Sequence, residues 1–279
     1  MLDLNLCVTC GQVFRWDSLP DGTLLGVDGD EWWAVRQSGT SLEVSGNVEA
    51  LQRLFRLDED FADYERRIRE AGPELTPYID ALPGLRLLRP SDAVEEMFCF
   101  LCTPNNNLTR INAMVRHLAG FGDVMADYEG RPVHRFPGLE TIAAIPPSEL
   151  RERGFGYRDK TIPAIARQVL ERGGRPWLES LKSVPYAEAH TALVGLKGVG
   201  PKLADCIALF ALHHTEAVPV DTHLWQAAVR LYFPEFAGKP MTDTRYRMIG
   251  DHFRSRFGSL AGWAHQYLFY DNLLNWRKR

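Results

Sequence analysis

Leu196-Lys197-Gly198-Val199-Gly200-Pro201-Lys202 decides the fold, because apolar-faced helices run up to it and away from it. Before it, Ala189, Ala192, Leu193 and Leu196 recur at helical spacing; after it, Leu203, Cys206, Ile207 and Phe210 do the same. Two helices are therefore joined by a tight hairpin. Gly198 and Gly200 are expected to supply positive φ and a bare backbone for the turn. Pro201 suits the first turn of the second helix, where a missing N–H costs nothing. The backbone N–H groups around Gly198, Val199 and Gly200 then face outward at a helix start, a phosphate site that reads backbone and not base sequence.

Nineteen residues after Lys202, the run Val218-Pro219-Val220-Asp221-Thr222-His223-Leu224-Trp225 places Asp221 where a third helix begins. Taken singly, these features are ordinary. A lysine in a first turn is usually a solvated charge, an aspartate at a helix start an N-cap, and a GxG hairpin a plain connection. The combination GVGPKLADCIALFAL…AVPVDTHLW resembles the helix–hairpin–helix DNA glycosylases, and most of all their 8-oxoguanine branch, whose members keep both the lysine and the aspartate. The resemblance implies an α+β fold in which an N-terminal twisted antiparallel β-sheet packs on a mostly α-helical core. The expected division is an antiparallel β domain with a helix at 1–85 and a helical glycosylase core at 86–279, with the hairpin at 186–212.

Composition bounds this reading loosely. Of 279 residues, 45% are hydrophobic and 24% charged, which describes an ordinary globular chain. No run approaches the roughly 18 apolar residues of a membrane span. Five cysteines, in a chain whose start lacks a signal peptide's basic and apolar run, suggest reduced thiols in a cytoplasm. The expected location is cytoplasmic, nucleoid-associated in a bacterium, or nuclear in a eukaryote. A formal net charge of −4 runs against nucleic-acid binding. Against that, Arg151, Arg153, Arg158, Lys160 and Arg167 gather in one segment, and Arg277-Lys278-Arg279 closes the chain.

The first 57 residues read as short strands at 13–16, 23–27, 31–36 and 42–44, separated by turn signals such as Pro20-Asp21-Gly22 and Ser38-Gly39-Thr40. The opening CVTCGQVFRW resembles the start of the 8-oxoguanine glycosylases, where the glycine's carbonyl accepts the extra ring proton of the oxidised base; Gly11 inherits that role. Cys7 and Cys10 are taken as a lone CxxC, too few ligands for a zinc ribbon and compatible with a strand edge. A charged helix is expected over 58–72. A second is capped by Asp92 with Glu95 as its capping-box partner and ends before Pro104. A third carries Ile111, Met114, Val115 and Leu118 on one face. The stretches 131–138 and 172–176 read as loops, 245–257 as a helix, and the final helix begins near Gly258.

FCFLCTPNNNLTRINAMVRHL resembles the family segment that enters the gap left by the extruded base, so that Asn105 fills the space and Arg110 contacts the orphaned base. In the matching glycine-tyrosine-arginine segment, Tyr157 is the wedge and Arg158 a second reader of the orphaned cytosine. AGWAHQYLF resembles the closing helix, whose last phenylalanine, here Phe269, stacks on the damaged base against Cys206. Phe210 and Pro219 complete the implied base pocket, and His223 joins the hairpin on the DNA backbone. His265 departs from the family, which usually has a glutamine there that grips the base's Watson–Crick edge. It is expected to line the pocket as a neutral ring, with Gln266 turned aside by about 100° of helix and base removal falling below a pH of about 6.5.

The implied chemistry is a lysine nucleophile at the sugar's anomeric carbon, giving a Schiff base that leads to strand nicking. Burial and the helix dipole are expected to favour the free amine of Lys202, and Asp221 to oppose positive charge on the sugar. The implied partner is duplex DNA carrying an oxidised guanine, bound by a monomer. No cofactor is required, although the hairpin could take a monovalent cation. Iron–sulfur relatives carry four cysteines after the aspartate, whereas this chain has none after Cys206, and alkylated-base glycosylases lack the lysine. The same scaffold acting on another oxidised base, or a non-catalytic DNA-binding module, are the alternatives that a strand-nicking assay separates.

Overall fold

The computed structural model describes residues 2–277; Lys278 and Arg279 of the basic terminus lie outside them. The N-terminal part is a four-stranded antiparallel sheet in the order β1-β2-β3-β4, formed by Trp16–Ser18, Leu24–Asp28, Glu31–Ser38 and Ser41–Gly46. Gly26 of β2 is set by close approach: a Cβ there would lie 2.3 Å from the Trp16 ring. Trp16 instead lies flat near Trp33, with centroids 6.0 Å apart and planes at 7°. This face of the sheet packs on Leu4, Leu51, Leu54 and Phe55, forming a small core of its own.

Those partners belong to two helices that the strand pattern conceals. α1 (Leu4–Thr9) is capped by Asp3, whose carboxylate accepts from the Leu6 N–H, and α2 (Val48–Leu54) by Asn47. Cys7 therefore sits on a helix and Cys10 at its end, not on a strand edge. The strand expected from Val13 begins only at Trp16, because the preceding residues form a turn held by the Gln12 side chain between the Arg86 carbonyl and the Leu88 N–H.

The larger core is helical. In chain order it comprises α3 (Phe61–Ala71), α4 (Thr76–Ala81), α5 (Ala93–Leu101), α6 (Leu108–Ala119), α7 (Leu139–Ala144), α8 (Pro147–Glu152), α9 (Arg158–Glu171) and α10 (Gly174–Ser180). There follow α11 (Tyr186–Val194), α12 (Pro201–Cys206), α13 (Thr222–Leu231), α14 (Asp243–Phe257) and α15 (Ala261–Arg277). All nine residues of α5 are buried, so it runs through the interior. Asp92 caps it, but Glu95 does not close a capping box. Its carboxylate meets Arg15 at 2.8 Å and accepts from the Gly29 N–H, tying the helix to the sheet. Cys99 on α5 and Cys102 at its C-cap form a second CxxC, so Cys7/Cys10 is no longer a lone pair. All five cysteines are buried and free, and among the described residues no three His, Cys, Asp or Glu side chains gather as a metal site.

Two expected loops are ordered elements. At 131–138, β6 (Arg131–His134) pairs with β5 (Val124–Tyr128); in a two-stranded ribbon each strand has a free edge, which tolerates the missing N–H of Pro132. At 172–176, Gly173 and Gly174 take φ of +115° and +67° and turn the chain directly into α10. The basic segment is also less free than its sequence suggests. Arg158 is buried, and of the exposed members Arg151 pairs with Asp159 and Arg167 donates to the Ala143 carbonyl. Among the described residues no helix is long and apolar enough to cross a membrane.

Candidate active site

The hairpin between α11 and α12 forms as its glycines suggest, with one difference. Gly198 has φ of +111° and packs so closely that an added Cβ would lie 3.1 Å from Thr161. Gly200 has φ of −86° in extended backbone, so its use is a bare surface and not a left-handed turn. Val199 is buried as the hairpin's apolar anchor. The Gln168 amide brackets the turn, accepting from the Lys197 N–H at 2.7 Å and donating to its carbonyl at 3.2 Å.

Beneath the hairpin lies a cavity of about 420 Å³. Lys202 and Cys206 face it from α12, Asp221 and His223 from the start of α13, and Pro219 from the strand-like approach to that helix. His265 and Phe269 of α15 and Gly11 of the N-terminal turn close it. Phe210 enters from a wider turn at Ile207–Ala211, where the bonding changes to i→i+5. Such π-turns reposition a side chain without breaking the helix. Sequence reasoning missed much of the remaining wall, including Phe14, Phe100, Asn106, Leu108 and Gln266. Phe100 stacks on Phe210 with centroids 4.9 Å apart. It could have been suspected only from a large apolar residue just before the Asn-rich turn.

Asp221 caps α13, accepting from the Leu224 N–H at 2.8 Å. Its carboxylate therefore sits at the positive end of the helix dipole, anchored where it lines the cavity. Lys202 overturns an expectation. Burial does favour its neutral form, but Cys206 and Asp221 outweigh burial and hold the ammonium above its ordinary pKa. Burial pushes the Cys206 thiol up, against the pull of Lys202.

The back of α12 is fixed by Asp205, whose buried carboxylate accepts from the Tyr186 hydroxyl at 2.5 Å and from the Tyr246 hydroxyl. Tyr246 belongs to α14 and lies against the backbone of Val220, next to Asp221. One carboxylate thus ties the lysine-bearing helix to the segment that carries its acidic partner.

His265 does line the cavity, and burial followed by the Lys202 charge pushes its pKa down to about 3. The acid limb expected near neutrality is therefore displaced well below it. Gln266 is not turned aside: it too lines the cavity, and it is buried. The helix at this point is packed on both flanks, so adjacent side chains border the same space.

The remaining residues of interest form a separate group. Asn105 is exposed at the tip of its turn with φ of +51°, a conformation asparagine tolerates better than most. Arg110 is exposed and donates to the Gly154 carbonyl. Tyr157 is 58% exposed. Arg158 is buried rather than exposed, donating to the carbonyls of Pro104 and Phe155 beneath the Tyr157 ring, and would have to leave them to meet a partner strand.

No protein-family model matches the chain. The chain is 36% identical over 280 residues to N-glycosylase/DNA lyase OGG1 of Arabidopsis thaliana, spanning 96% of this chain and 76% of that protein. It is 31% identical over 258 residues to the N-glycosylase/DNA lyase of Saccharomyces cerevisiae, covering 80% of this chain and 67% of that one. Among solved structures, the Clostridium acetobutylicum 8-oxoguanine glycosylase/lyase, in complex with double-stranded DNA containing cytosine opposite 8-oxoG, superposes with a TM-score of 0.87 at 27% identity, covering 98% of this chain and 92% of that chain. MBOgg1, in complex with a low-affinity DNA ligand, gives 0.87 at 26% identity, covering 98% and 93%. Fold and cavity thus define a helix–hairpin–helix glycosylase with a lysine lining its cavity. The chain belongs to the N-glycosylase/DNA lyase family.

Proposed function

We propose that the chain excises 8-oxoguanine from duplex DNA, preferentially opposite cytosine, and then nicks the strand at the resulting sugar. The observation that carries this reading is the convergence of Lys202, Asp221, Cys206, Gly11 and Phe269 on one cavity. A base inside a duplex is out of reach, so it is extruded into that cavity. Phe269 stacks on one face, worth roughly 1–3 kcal/mol, with Cys206 on the other. The Gly11 carbonyl accepts the N7 proton that only the oxidised base carries. Gly11 suits this place because its φ of +83° directs the turn and its bare Cα lets a flat base approach.

Lys202 gives up one proton to water, its Nζ bonds to the anomeric carbon as the glycosidic bond breaks, and the base departs with that electron pair and takes up a proton. Asp221 opposes the positive charge developing on the sugar. Opening of the sugar ring gives the Schiff base, and loss of a C2′ proton to water then breaks the 3′ C–O bond by β-elimination, the phosphate leaving with the electron pair. Asn105 and Tyr157 occupy the gap in the duplex, while Arg110 and Arg158 read the orphaned cytosine. The amides around Gly198, Val199 and Gly200, with His223, hold the DNA backbone.

No residue role here requires a cofactor. A monovalent cation would sit at the hairpin carbonyls, of which those of Leu196 and Lys197 already accept from Val199 and Gln168, so no step runs through it. The protein acts as a monomer.

The test is single-turnover release of free base, with strand nicking followed in parallel, from duplexes carrying 8-oxoguanine opposite each of the four bases. Fastest release opposite cytosine is expected. Equal release opposite all four, or release of another oxidised base alone, would overturn the assignment.

A further inference from the structure

Gln266 is only 2% exposed, yet its Oε1 has no hydrogen-bond partner. An orphaned buried carbonyl is destabilising, so it calls for a reason. The same side chain borders the base cavity beside Gly11 and Phe269. Its amide nitrogen lies 3.5 Å from the Cys10 carbonyl. Because that carbonyl can only accept, it sets the amide with nitrogen toward Cys10 and oxygen away from it. The Cys10–Gly11–Gln12 turn is clamped from the other side as well. The Gln12 amide nitrogen donates to the Cys10 thiol at 3.0 Å and to the Arg86 carbonyl at 2.7 Å, and the Cys10 thiol donates to the Cys7 carbonyl at 3.1 Å.

His265 is a weaker candidate for the same work. Its Nδ1 is likewise without a partner, but its ring lies nearly parallel to Phe269, at 12° and 5.8 Å between centroids, with the Pro219 and Gly262 carbonyls beside it. It extends the aromatic wall.

We infer that Gln266, and not His265, is the specificity-determining polar residue of α15. Its Oε1 accepts from an N–H on the edge of the flipped base while its amide nitrogen positions the turn that presents the Gly11 carbonyl. This inference rests on the substrate reading above and adds to it the group that replaces the family's glutamine, one residue further along the helix.

The test compares the parent with Gln266→Met, which keeps length and removes both polar atoms, and Gln266→Glu, which keeps an acceptor. Single-turnover release of 8-oxoguanine is measured beside nicking of a duplex that already contains an abasic site, a reaction in which no base is held. For Gln266→Met, the loss in base release should exceed the loss in abasic nicking by roughly 10- to 100-fold, the scale of one buried hydrogen bond. Gln266→Glu should recover part of that difference. Equal losses in the two reactions would make Gln266 merely structural and overturn the inference, as would a Glu variant no better than Met. A parent that nicks abasic DNA but releases no 8-oxoguanine would overturn the substrate reading, and this inference with it.

Discussion

The cavity under the hairpin and the paired segments at 104–110 and 154–158 differ in how much of their chemistry is already in place. In the cavity, Lys202 and Cys206 are in contact, Asp221 is oriented by its own helix, and Asp205 fixes the helix behind them. Little has to move except a proton. In the paired segments the arginines are spent on the protein itself: Arg110 on the Gly154 carbonyl, Arg158 on those of Pro104 and Phe155. DNA must displace those contacts before either guanidinium can meet a base. On the proposed reading, preorganisation is concentrated where bonds break, while the groups assigned to the partner strand would exchange one set of acceptors for another.

The largest effect that could break this contrast lies at Asp221. Asparagine is as good an N-cap as aspartate, so Asp221→Asn removes charge while sparing α13. Base release should fall on the order of 100- to 1000-fold, the scale of a preorganised electrostatic contact, with DNA affinity in a mobility-shift titration little changed. A loss in affinity as large as the loss in rate would show that the cavity is not preorganised for the bond-breaking step.

A smaller effect is expected in the paired segments. Arg158→Ala and Arg110→Ala should each narrow the preference for cytosine over adenine opposite the lesion by about 1–3 kcal/mol. Removing Arg158 also frees the Pro104 carbonyl and loosens the Asn105 turn, so its variant should additionally bind undamaged duplex less well than Arg110→Ala. If neither substitution alters the opposite-base profile, the carbonyl-bound arginines seen at rest are structural ties and nothing more.

The smallest effect concerns pH. His265 has its folded pKa pushed down to about 3, below its unperturbed value of about 6.5, so it is neutral throughout the range where DNA repair is assayed. The sign follows: protonation of the ring can act only near the acid extreme, and no inflection from it should appear between pH 5 and 8. Rate profiles of parent and His265→Gln over that range should run parallel. An acid limb near 6.5 in the parent that vanishes in the variant would mean that His265 titrates freely and reads the base after all.

How much of this was legible in the sequence depended on the range of the interaction. The hairpin, the Asp221 cap and the Asp92 cap could be read because each is written in a few adjacent residues. The cavity's own set, Gly11 with Lys202, Cys206, Phe210, Pro219, Asp221, His223, His265 and Phe269, was nameable through resemblance and converges in three dimensions. Short capped helices escaped: α1 and α2 offer too few turns to show a period. β6 was hidden by Pro132, whose cost depends on which strand edge it faces. The ionisation of Lys202 was misjudged because it turns on how near Cys206 and Asp221 lie, which spacing along a helix does not give. Arg158 looked available because sequence does not show which carbonyls will surround it, and Gln266 looked redundant because burial on both sides of α15 comes from distant elements.

The measurement that tests the account most directly is borohydride trapping on a duplex with 8-oxoguanine opposite cytosine, followed by mapping of the modified peptide. A Schiff base at the cavity lysine predicts one covalent adduct, located on Lys202, and none in Lys202→Gln, which should still bind the duplex. An adduct that persists in that variant, or one that maps to another amine in the parent, would contradict the central claim.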